Sequence, residues 1–444
     1  MREPFPTRFS GWGRYPVLPG RSVQSESLPE ITGGAAISRG LGRAYGDAAL
    51  PAAANDIVAS STLADRLLNF DSTTGVLRAE AGLSLLELNR LFLPRGWFTP
   101  VTPGTQFVTL GGMVAADVHG KNHHWAGSFG QHLLSLRLRL GTGEMVDCSE
   151  SRDPDLFRAT IGGMGLTGHI LEVEFRMERI PSPWIWSETE RLSCLDEMIA
   201  GLKAASREWS FSSGWIDSLA KGRHLGRGLL FKGRWAESTQ AHSTRPPFRR
   251  GFRVPFEFPN WILTPWSMSL FNAAVYWRHP RRISRRVVHP QTFFYPLDRI
   301  ERWNLVYGRD GLAQYQCVVP HAADNGPTRR LLELAVSLKV PSFLTVVKDF
   351  GAEGKGWISF PKPGITVTFD LPLRSGTAAV VARFNELVAA EGGRVYLAKD
   401  PFTTAAEMRR MDPRLESWLE ARKRWDPRGR LRSAMSIRVM GDPQ

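Results

Sequence analysis

The sequence predicts an α+β fold divided into more than one domain, and three observations support this prediction. The chain has 444 residues, which is more than one compact core usually holds. Its first 180 residues alternate short β-patterned runs with helical runs and glycine-rich turns. From about Pro181 the sequence becomes rich in tryptophan and punctuated by proline, and β-patterned runs return after Gln291.

The individual elements follow from side-chain periodicity. Ser84 and Glu87 are spaced as a capping box, which predicts a helix that runs through Leu93. A second helical pattern, at residues 416–425, is stopped by Asp426-Pro427. The alternating runs that predict strands are residues 76–81, 134–140, 145–146, 170–177, 314–319, 343–347 and 366–371.

Composition and charge narrow the class of protein. With 42% hydrophobic and 23% charged residues the chain is an ordinary globular protein, but its formal net charge of +14 indicates an anionic ligand or partner. The 3 cysteines are far apart, which excludes a disulfide scaffold and a cysteine-rich zinc site. We expect no signal peptide and no spanning helix, because residues 1–20 lack an apolar core and the charge-free residues 258–277 contain prolines. The expected compartment is the cytoplasm.

The first chemical motif is the glycine-rich segment at residues 38–47. Glycines at this density allow sharp turns that aim several backbone N–H groups at one phosphate, although a plain surface turn would look similar. Tyr45 stands where the dinucleotide fingerprint needs its third glycine. The segment therefore indicates a phosphate site rather than a Rossmann fold.

A second motif spans residues 103–124. Pro103-Gly104-Thr105 and the glycines at 111 and 112 form a backbone that can wrap closely around a flat ligand. His119, His123 and His124 also allow a metal site, but no carboxylate or cysteine stands at ligand spacing, so we expect no metal.

These two motifs together resemble the flavin-binding segments of the vanillyl-alcohol-oxidase-type (PCMH-type) FAD enzymes. Within that group the chain resembles the decaprenylphosphoryl-β-D-ribose 2′-oxidases over nearly its whole length. The segments that carry the resemblance are residues 40–47, 103–105, 109–112, 119–130, 162–168, 212–215, 303–308, 314–316 and 396–400.

The resemblance implies an FAD-binding domain that is split in sequence. Residues 1–180 and 394–444 would form this domain, and residues 181–393 would form an α+β substrate-binding cap with an antiparallel sheet. The residues implied in cofactor binding are Ser38, Arg39, Gly40, Leu41, Gly42, Arg43, Ala44, Tyr45, Gly46, Asp47, Ala48, Gly104, Thr109, Leu110, Gly111, Gly112, Ala116, Asp117, Val118, His119, Ile170 and Tyr396. Related aldonolactone oxidases attach FAD through a histidine where this chain has Arg43, so we expect non-covalent FAD.

The activity implied is oxidation of the 2′-hydroxyl of a polyprenylphosphoryl-β-D-ribose to a 2-keto intermediate, with hydride transfer to the flavin. A partner NAD(P)H-dependent keto-reductase would complete the epimerisation to the arabinose form used in cell-envelope glycans. Lys399, His119 and Tyr45 are the implied catalytic residues. The implied substrate-binding residues are Lys121, Trp215, Tyr307, Gln314, Gln316, Lys348, Thr366, Thr368 and Lys399.

The chain departs from the family pattern at two of these positions. Thr366 and Thr368 stand where the mycobacterial-type enzymes have asparagine and cysteine. Loss of the thiol should abolish covalent trapping by nitro-aromatic inhibitors without preventing turnover. Because pocket polarity decides which hydroxyl is presented, an aldonolactone or other sugar-alcohol oxidase of the same fold stays open as the alternative.

A basic stretch around residues 258–277 suggests contact with a membrane. Arginines that flank an apolar, tryptophan-bearing stretch are typical of an interfacial membrane contact, although a solvated loop would show the same charges. We therefore expect peripheral contact with the inner face of the plasma membrane, a quinone as electron acceptor, and no nucleic-acid partner, since no binding fold for nucleic acid is evident. The arginines are Arg245, Arg249, Arg250, Arg253, Arg278, Arg281, Arg282, Arg285 and Arg286.

Overall fold

The structure is a computed structural model that describes residues 3–242 and 251–443. Within these residues the strands form three larger sheets and two short two-stranded pairs. Helices and strands are mixed along the chain, and the predicted α+β class is confirmed.

The N-terminal part contains a mixed sheet and an antiparallel sheet. The strand orders are β1-β2-β4-β3 and β5-β6-β10-β8-β9, and β7 pairs with β11. The elements are β1 (Phe5–Ser10), β2 (Val17–Gln24), α1 (Leu28–Ile31), β3 (Ile37–Arg39), β4 (Ile57–Ser60), β5 (Leu67–Phe70), β6 (Val76–Glu80), α2 (Leu85–Phe92), β7 (Trp97–Phe98), α3 (Leu110–Ala115), α4 (His123–Ala126), β8 (Leu133–Arg139), β9 (Met145–Ser149), α5 (Pro154–Thr160), β10 (His169–Arg176) and β11 (Glu178–Arg179).

The middle part is organised around one antiparallel sheet. Its strand order is β16-β12-β14-β13-β19-β20-β18-β21, and β15 pairs with β17 separately. The elements up to residue 390 are β12 (Ile185–Leu192), α6 (Leu195–Glu208), β13 (Phe211–Ile216), β14 (Gly228–Trp235), β15 (Phe252–Arg253), α7 (Pro265–Trp277), β16 (Ile283–Val288), α8 (Pro290–Phe294), β17 (Ile300–Glu301), β18 (Leu312–Val319), α9 (Gly326–Ser337), β19 (Val346–Phe350), β20 (Gly364–Pro372) and α10 (Thr377–Ala390).

The C-terminal segment comprises β21 (Arg394–Val395), α11 (Ala405–Met411), α12 (Leu415–Trp425) and a π-helical turn at Ser436–Met440. It begins in the middle sheet, where β21 pairs with Cys317 and Val318 of β18. It then packs on the N-terminal part, where Trp418 donates from Nε1 to the carbonyl of Ala159 at 2.9 Å. The predicted domain boundaries at 180 and 393 stay predictions.

Most predicted elements are confirmed, and two differ in detail. Ser84 caps α2 by accepting from the amide of Glu87, but the Glu87 carboxylate pairs with Arg90 instead of closing the predicted box. The strand predicted at residues 343–347 is β19 at Val346–Phe350. Phe343 precedes it because its ring packs against Tyr307 and its carbonyl accepts from Trp215.

No helix among the described residues is long and apolar enough to cross a membrane.

Candidate active site

The glycine-rich segment follows β3 and forms a loop with unused backbone donors. Gly42 has a φ of 64°, the left-handed region that glycine adopts without strain. A Cβ on Gly40 would lie 2.2 Å from Thr109 Oγ1, so only glycine allows the two loops to approach this closely. The amides of residues 40–43 donate to no protein acceptor among the described residues. Backbone amides in such a loop could donate to a phosphate group.

The second glycine motif lies across the same space. Thr109 caps α3 by accepting from the amide of Gly112 at 3.3 Å. A Cβ on Gly104 would have no protein atom within 4 Å, so this glycine faces open space. The two loops together enclose a cleft with room for a flat ligand.

One elongated cavity joins these loops to the middle sheet. It continues from the glycine-rich loop past α3 to the face formed by β18, β20 and β19. The predicted site residues that line it are Ser38, Arg39, Gly40, Leu41, Gly42, Arg43, Ala44, Tyr45, Ala48, Gly104, Thr109, Gly111, Gly112, Ala116, Val118, His119, Lys121, Ile170, Gln314, Gln316, Lys348, Thr368, Tyr396 and Lys399.

Strand alternation places the polar side chains of the sheet on one face. Gln316 pairs with Thr368, and Thr368 pairs with Val346 on the next strand. Lys348 lies two residues further along β19 on the same face. The sheet thus gives the cavity a polar wall opposite the glycine loops.

His119 lies at the centre of this wall. Its Nε2 is 3.0 Å from the Gln316 amide nitrogen, and its Nδ1 is 2.9 Å from Lys348 Nζ. Burial, with Lys348 as the next cause, holds the pKa of His119 well below its usual range. The ring is therefore neutral at pH 7.

Lys121, Lys348 and Lys399 bring an unusual concentration of amino groups to the cavity. Burial lowers the pKa of Lys121 to about 8 and that of Lys399 to about 8. The pKa of Lys348 is lowered further, first by burial and then by the other two lysines. Such a cluster attracts an anionic ligand.

Lys399 has a carboxylate near it, and Lys348 does not. The Asp370 carboxylate raises the pKa of Lys399 against the effect of burial. Asp370 accepts from Gln314 at 2.5 Å and from Tyr307 at 2.9 Å. The Lys399 ammonium lies 4.1 Å from the centre of the Tyr45 ring, which adds a cation–π contact.

Several predicted site residues lie outside the cavity lining and hold neighbouring segments together. Asp47 pairs with Arg438, and Asp117 accepts from Ser128 and from the amide of Gly130. Three further residues form hydrogen bonds outside the lining: Trp215 with Phe343, Tyr307 with Asp370, and Thr366 with Cys317. Leu110 lies in the core, and a Cβ on Gly46 would come too close to Asp400. Their predicted roles in binding stay predictions.

Some residues in or next to the cavity lining were not among the predicted site residues. Asp298 accepts from the amide of Gln106 at 2.8 Å, and burial raises its pKa to about 6. Trp303 packs near Trp12 and Tyr45 at ring-centre distances of 6.1 and 6.3 Å. Asp370 was also missed, since it shows only as a strand residue in the sequence. Trp303 lies in residues 303–308, which carry part of the resemblance, but it was not assigned a role in the site. Asp298 and Asp370 have no local signal, because their contacts join distant segments.

Within the described residues, no group of three or more histidine, cysteine, aspartate or glutamate side chains is arranged to hold a metal ion. His123 and His124 instead contact the backbone: His123 Nδ1 accepts from the amide of Gly351, and His124 Nε2 lies 2.9 Å from the carbonyl of Trp209.

The residues present fit an FAD molecule. The unused amides of residues 40–43 suit a pyrophosphate, and the open space at Gly104 admits a ring system close to the backbone. Arg43 lies with its guanidinium 4.0 Å from the centre of the Trp12 ring and has no nucleophilic atom for a flavin bond. The cavity thus suits a flavin that is not covalently attached.

Comparison with known proteins defines the class. Residues 32–149 match the family model described as FAD binding domain. The chain is 35% identical to the decaprenylphosphoryl-β-D-ribose oxidase of Mycolicibacterium smegmatis over 98% of both chains. Shorter matches are a putative D-arabinono-1,4-lactone oxidase of Neurospora crassa, 29% identical over 37% of this chain and 30% of that protein, and the Δ(24)-sterol reductase of Rattus norvegicus, 26% identical over the same shares.

The fold and site therefore define an FAD-dependent oxidoreductase. The match over the full length is more specific, and by it the chain belongs to the decaprenylphosphoryl-β-D-ribose oxidase family. The resemblance and the FAD cofactor predicted from the sequence are confirmed.

Proposed function

We propose that this enzyme oxidises the 2′-hydroxyl of a polyprenylphosphoryl-β-D-ribose to the 2-keto intermediate. The observation that carries the proposal is the wall of Lys121, Lys348, Lys399 and His119 at the end of the flavin cavity. Within this wall Lys121, whose pKa of about 8 leaves it charged at pH 7, supplies a buried cation that suits a phosphorylated sugar better than a neutral one. The full-length similarity to an oxidase named for such a substrate supports it.

The residues of the wall have separable tasks in this reaction. The two electrons of the oxidation are taken up by FAD when it is bound. Lys399, with Asp370 as its nearby carboxylate, holds the cationic form that stabilises negative charge on the substrate oxygen. Gln314 is fixed by its bond to Asp370, so its second amide hydrogen has a set direction for donation to the sugar. The Gln316 amide nitrogen is held by Thr366 and His119, so Gln316 offers the sugar only its carbonyl oxygen, as an acceptor.

Comparative turnover tests the substrate. Purified enzyme would be assayed with an artificial electron acceptor and polyprenylphosphoryl-β-D-ribose, free ribose, ribose phosphate and an aldonolactone. We expect kcat/KM to be highest for the lipid-linked phosphosugar, because it alone supplies the phosphate, the sugar and the apolar chain. Equal kcat/KM with the lactone would overturn the assignment in favour of an aldonolactone oxidase.

We also propose two partners that this chemistry requires. The 2-keto product still needs a hydride from an NAD(P)H-dependent keto-reductase to become the arabinose form. The reduced cofactor needs an electron acceptor, and a membrane quinone is consistent with a lipid-linked substrate. Reoxidation by a short-chain quinone, followed by its absorbance, tests the second proposal; a rate no greater than with oxygen alone argues against it.

Helix α7 carries an exposed apolar face that supports a proposed membrane contact. A narrow stripe of Met268, Asn272 and Tyr276 packs inward, and no residue of the helix is charged. The outward side is apolar: Trp266 is 77% exposed and Leu270 is 61% exposed. Met268 packs in one cluster with the cavity residues Tyr45 and Trp303. Helix α7 therefore lies over the aromatic wall of the cavity, where a prenyl chain would leave it.

The arginines that follow α7 in the sequence are exposed to solvent. Arg278, Arg281 and Arg286 are exposed, and Arg282 and Arg285 pair with Glu190 and Glu188 while remaining more than half exposed. Arg253 is exposed in β15, whereas Arg245, Arg249 and Arg250 lie outside the described residues. Cations around exposed indoles suit an anionic bilayer. We propose that this face makes the peripheral membrane contact.

Vesicle sedimentation tests the membrane contact. Changing Arg281, Arg282, Arg285 and Arg286 to Ser should lower binding to phosphatidylglycerol vesicles by at least about tenfold, since each basic residue near a membrane contributes about 1 kcal/mol. A matched control changes four exposed basic residues elsewhere, Arg95, Arg410, Lys423 and Arg428, to Ser. Equal loss in both variants would show a general charge effect and contradict the assigned surface.

A further inference from the structure

A chain of hydrogen bonds with fixed direction begins at Thr366. Its Oγ1 lies 2.8 Å from the carbonyl oxygen of Cys317. A carbonyl only accepts, so the single hydroxyl proton of Thr366 is donated there. Any further partner of this oxygen must therefore donate to it.

Gln316 is that further partner, and the orientation of its side-chain amide is fixed because it must donate to Thr366. The Gln316 side-chain nitrogen lies 3.1 Å from Thr366 Oγ1 and 3.0 Å from His119 Nε2. The NH₂ group donates one hydrogen to Thr366, which leaves the other for His119. If the Gln316 amide were reversed, its carbonyl oxygen would face Thr366 Oγ1, whose only proton is already donated to Cys317. His119 Nε2 is thus an acceptor.

The tautomer of His119 then decides the charge of Lys348. A neutral imidazole that accepts at Nε2 carries its hydrogen on Nδ1, and this atom is 2.9 Å from Lys348 Nζ. An ammonium group has donors only, so it cannot accept from Nδ1–H, whereas a neutral amine can. A doubly protonated His119 would turn an N–H toward the Gln316 NH₂ group, and burial also opposes it.

The surroundings of Lys348 agree with a neutral amine. The titratable groups that act on Lys348 are Lys121 and Lys399, and both oppose an added positive charge on it. Asp349 follows Lys348 in β19 and bonds to His321 at 2.7 Å. Among the described residues no carboxylate forms an ion pair with Lys348.

We propose that Thr366, Gln316 and His119 hold Lys348 as a neutral amine, and that this amine accepts the hydroxyl proton in the proposed oxidation. The hydroxyl O–H bond breaks and its proton forms an N–H bond on Lys348. The carbonyl double bond forms as the carbon–hydrogen bond breaks, and that hydrogen leaves with its electron pair to FAD. Lys399 remains the cation beside the oxygen. The role of Lys348 as proton acceptor rests on the proposed function, whereas its neutral charge state does not.

Competitive acetylation measures the charge state without substrate. The flavin-loaded enzyme is treated with trace acetic anhydride over a range of pH, and labelling of each lysine is read by mass spectrometry relative to its own high-pH plateau. We expect the midpoint for Lys348 to lie below that of Lys399, whose pKa is about 8. A midpoint for Lys348 at or above that of Lys399 would overturn the proposal.

Two variants of Thr366 separate the hydrogen-bond chain from burial. Thr366→Val removes the hydroxyl, frees the Gln316 amide to reverse and lets Lys348 donate to His119, so its labelling midpoint should rise. Thr366→Ser keeps the hydroxyl and should leave the midpoint unchanged. Equal midpoints in the two variants would refute the chain as the cause. A low midpoint in an enzyme inactive on polyprenylphosphoryl-β-D-ribose would instead refute the substrate and leave the neutral amine supported.

Discussion

Two neighbouring lysines of the cavity differ because their partners differ. Lys399 lies near the Asp370 carboxylate and over the Tyr45 ring, both of which favour the ammonium form. Lys348 faces a histidine nitrogen and other lysines. One polar wall can therefore offer a cation and a proton acceptor at the same pH, which an alcohol oxidation needs.

Replacing Lys399 tests the role of the cation. Lys399→Met keeps most of the side-chain volume but removes the charge, so kcat should fall about 10²- to 10³-fold. Flavin content should remain, because the unused amides of the glycine-rich loop lie in another part of the cavity. Lys221→Met, on the surface, is the control. Full activity of the Lys399 variant would remove this residue from the mechanism.

The pH dependence of kcat/KM tests the influence of Asp370 on Lys399. The pKa of Lys399 is lowered to about 8, so activity that needs its ammonium form is complete at lower pH and declines as pH rises through about 8. Asp370→Asn removes the carboxylate that raises this pKa, so the alkaline decline should move to lower pH. Asp349→Asn, in the neighbouring strand, should leave it in place. A shift to higher pH in the Asp370 variant would contradict the account.

Individual site residues could be predicted from the sequence where they belong to a motif. The glycine-rich loop and Lys399 line the cavity as expected, because a short segment carries both the turn and its donors. Asp298 and Asp370 were missed because their significance comes from contacts across the chain. The Trp215 indole donates to the carbonyl of Phe343, and the predicted contact of Trp215 with the sugar stays a prediction.

At the scale of elements, the C-terminal segment fastens the middle sheet to the N-terminal part. Its first strand extends the sheet beside β18, and Tyr396 then donates to the carbonyl of Ala116 at 2.9 Å. Helix α12 buries Trp418 completely against the N-terminal part. One short segment thus positions both Tyr396 and Lys399 along the cavity.

Thermal unfolding tests the packing of α12. Trp418→Phe removes the donor to Ala159 and leaves a small cavity, which should lower Tm by about 5 °C. Trp266→Phe, on the exposed face of α7, is the matched control and should change Tm by less than about 1 °C. Similar Tm values for both variants would show that α12 does not hold the fold together. Differential scanning calorimetry provides the measurement.

Elements with strong local signals were predicted well. The hairpin of β8 and β9 forms around the glycine turn as expected, and α12 ends at Trp425, before Asp426-Pro427. β19 begins at Val346, later than predicted, because Phe343 is held by aromatic contacts with Tyr307 and Trp303. Such tertiary contacts override the alternation pattern, which carries no information about them.

At the scale of the whole molecule, the net charge of +14 is concentrated in particular regions. Part of it is concentrated in the cavity lysines, and part lies in the arginines that follow α7. The α+β class and the FAD cofactor followed from the order of motifs along the chain. The packing of Met268 in α7 against the cavity residues Tyr45 and Trp303 did not, because it brings together residues that are distant in the sequence.

The most direct test of the central claim is anaerobic reduction of the bound flavin by a matched pair of substrates. Loss of visible flavin absorbance would be followed after mixing the enzyme with polyprenylphosphoryl-β-D-ribose or with its 2′-deoxy counterpart. The account predicts complete bleaching with the ribose compound and none with the deoxy compound, since the 2′-hydroxyl is the group oxidised. Equal bleaching by both compounds, or none by either, would contradict it.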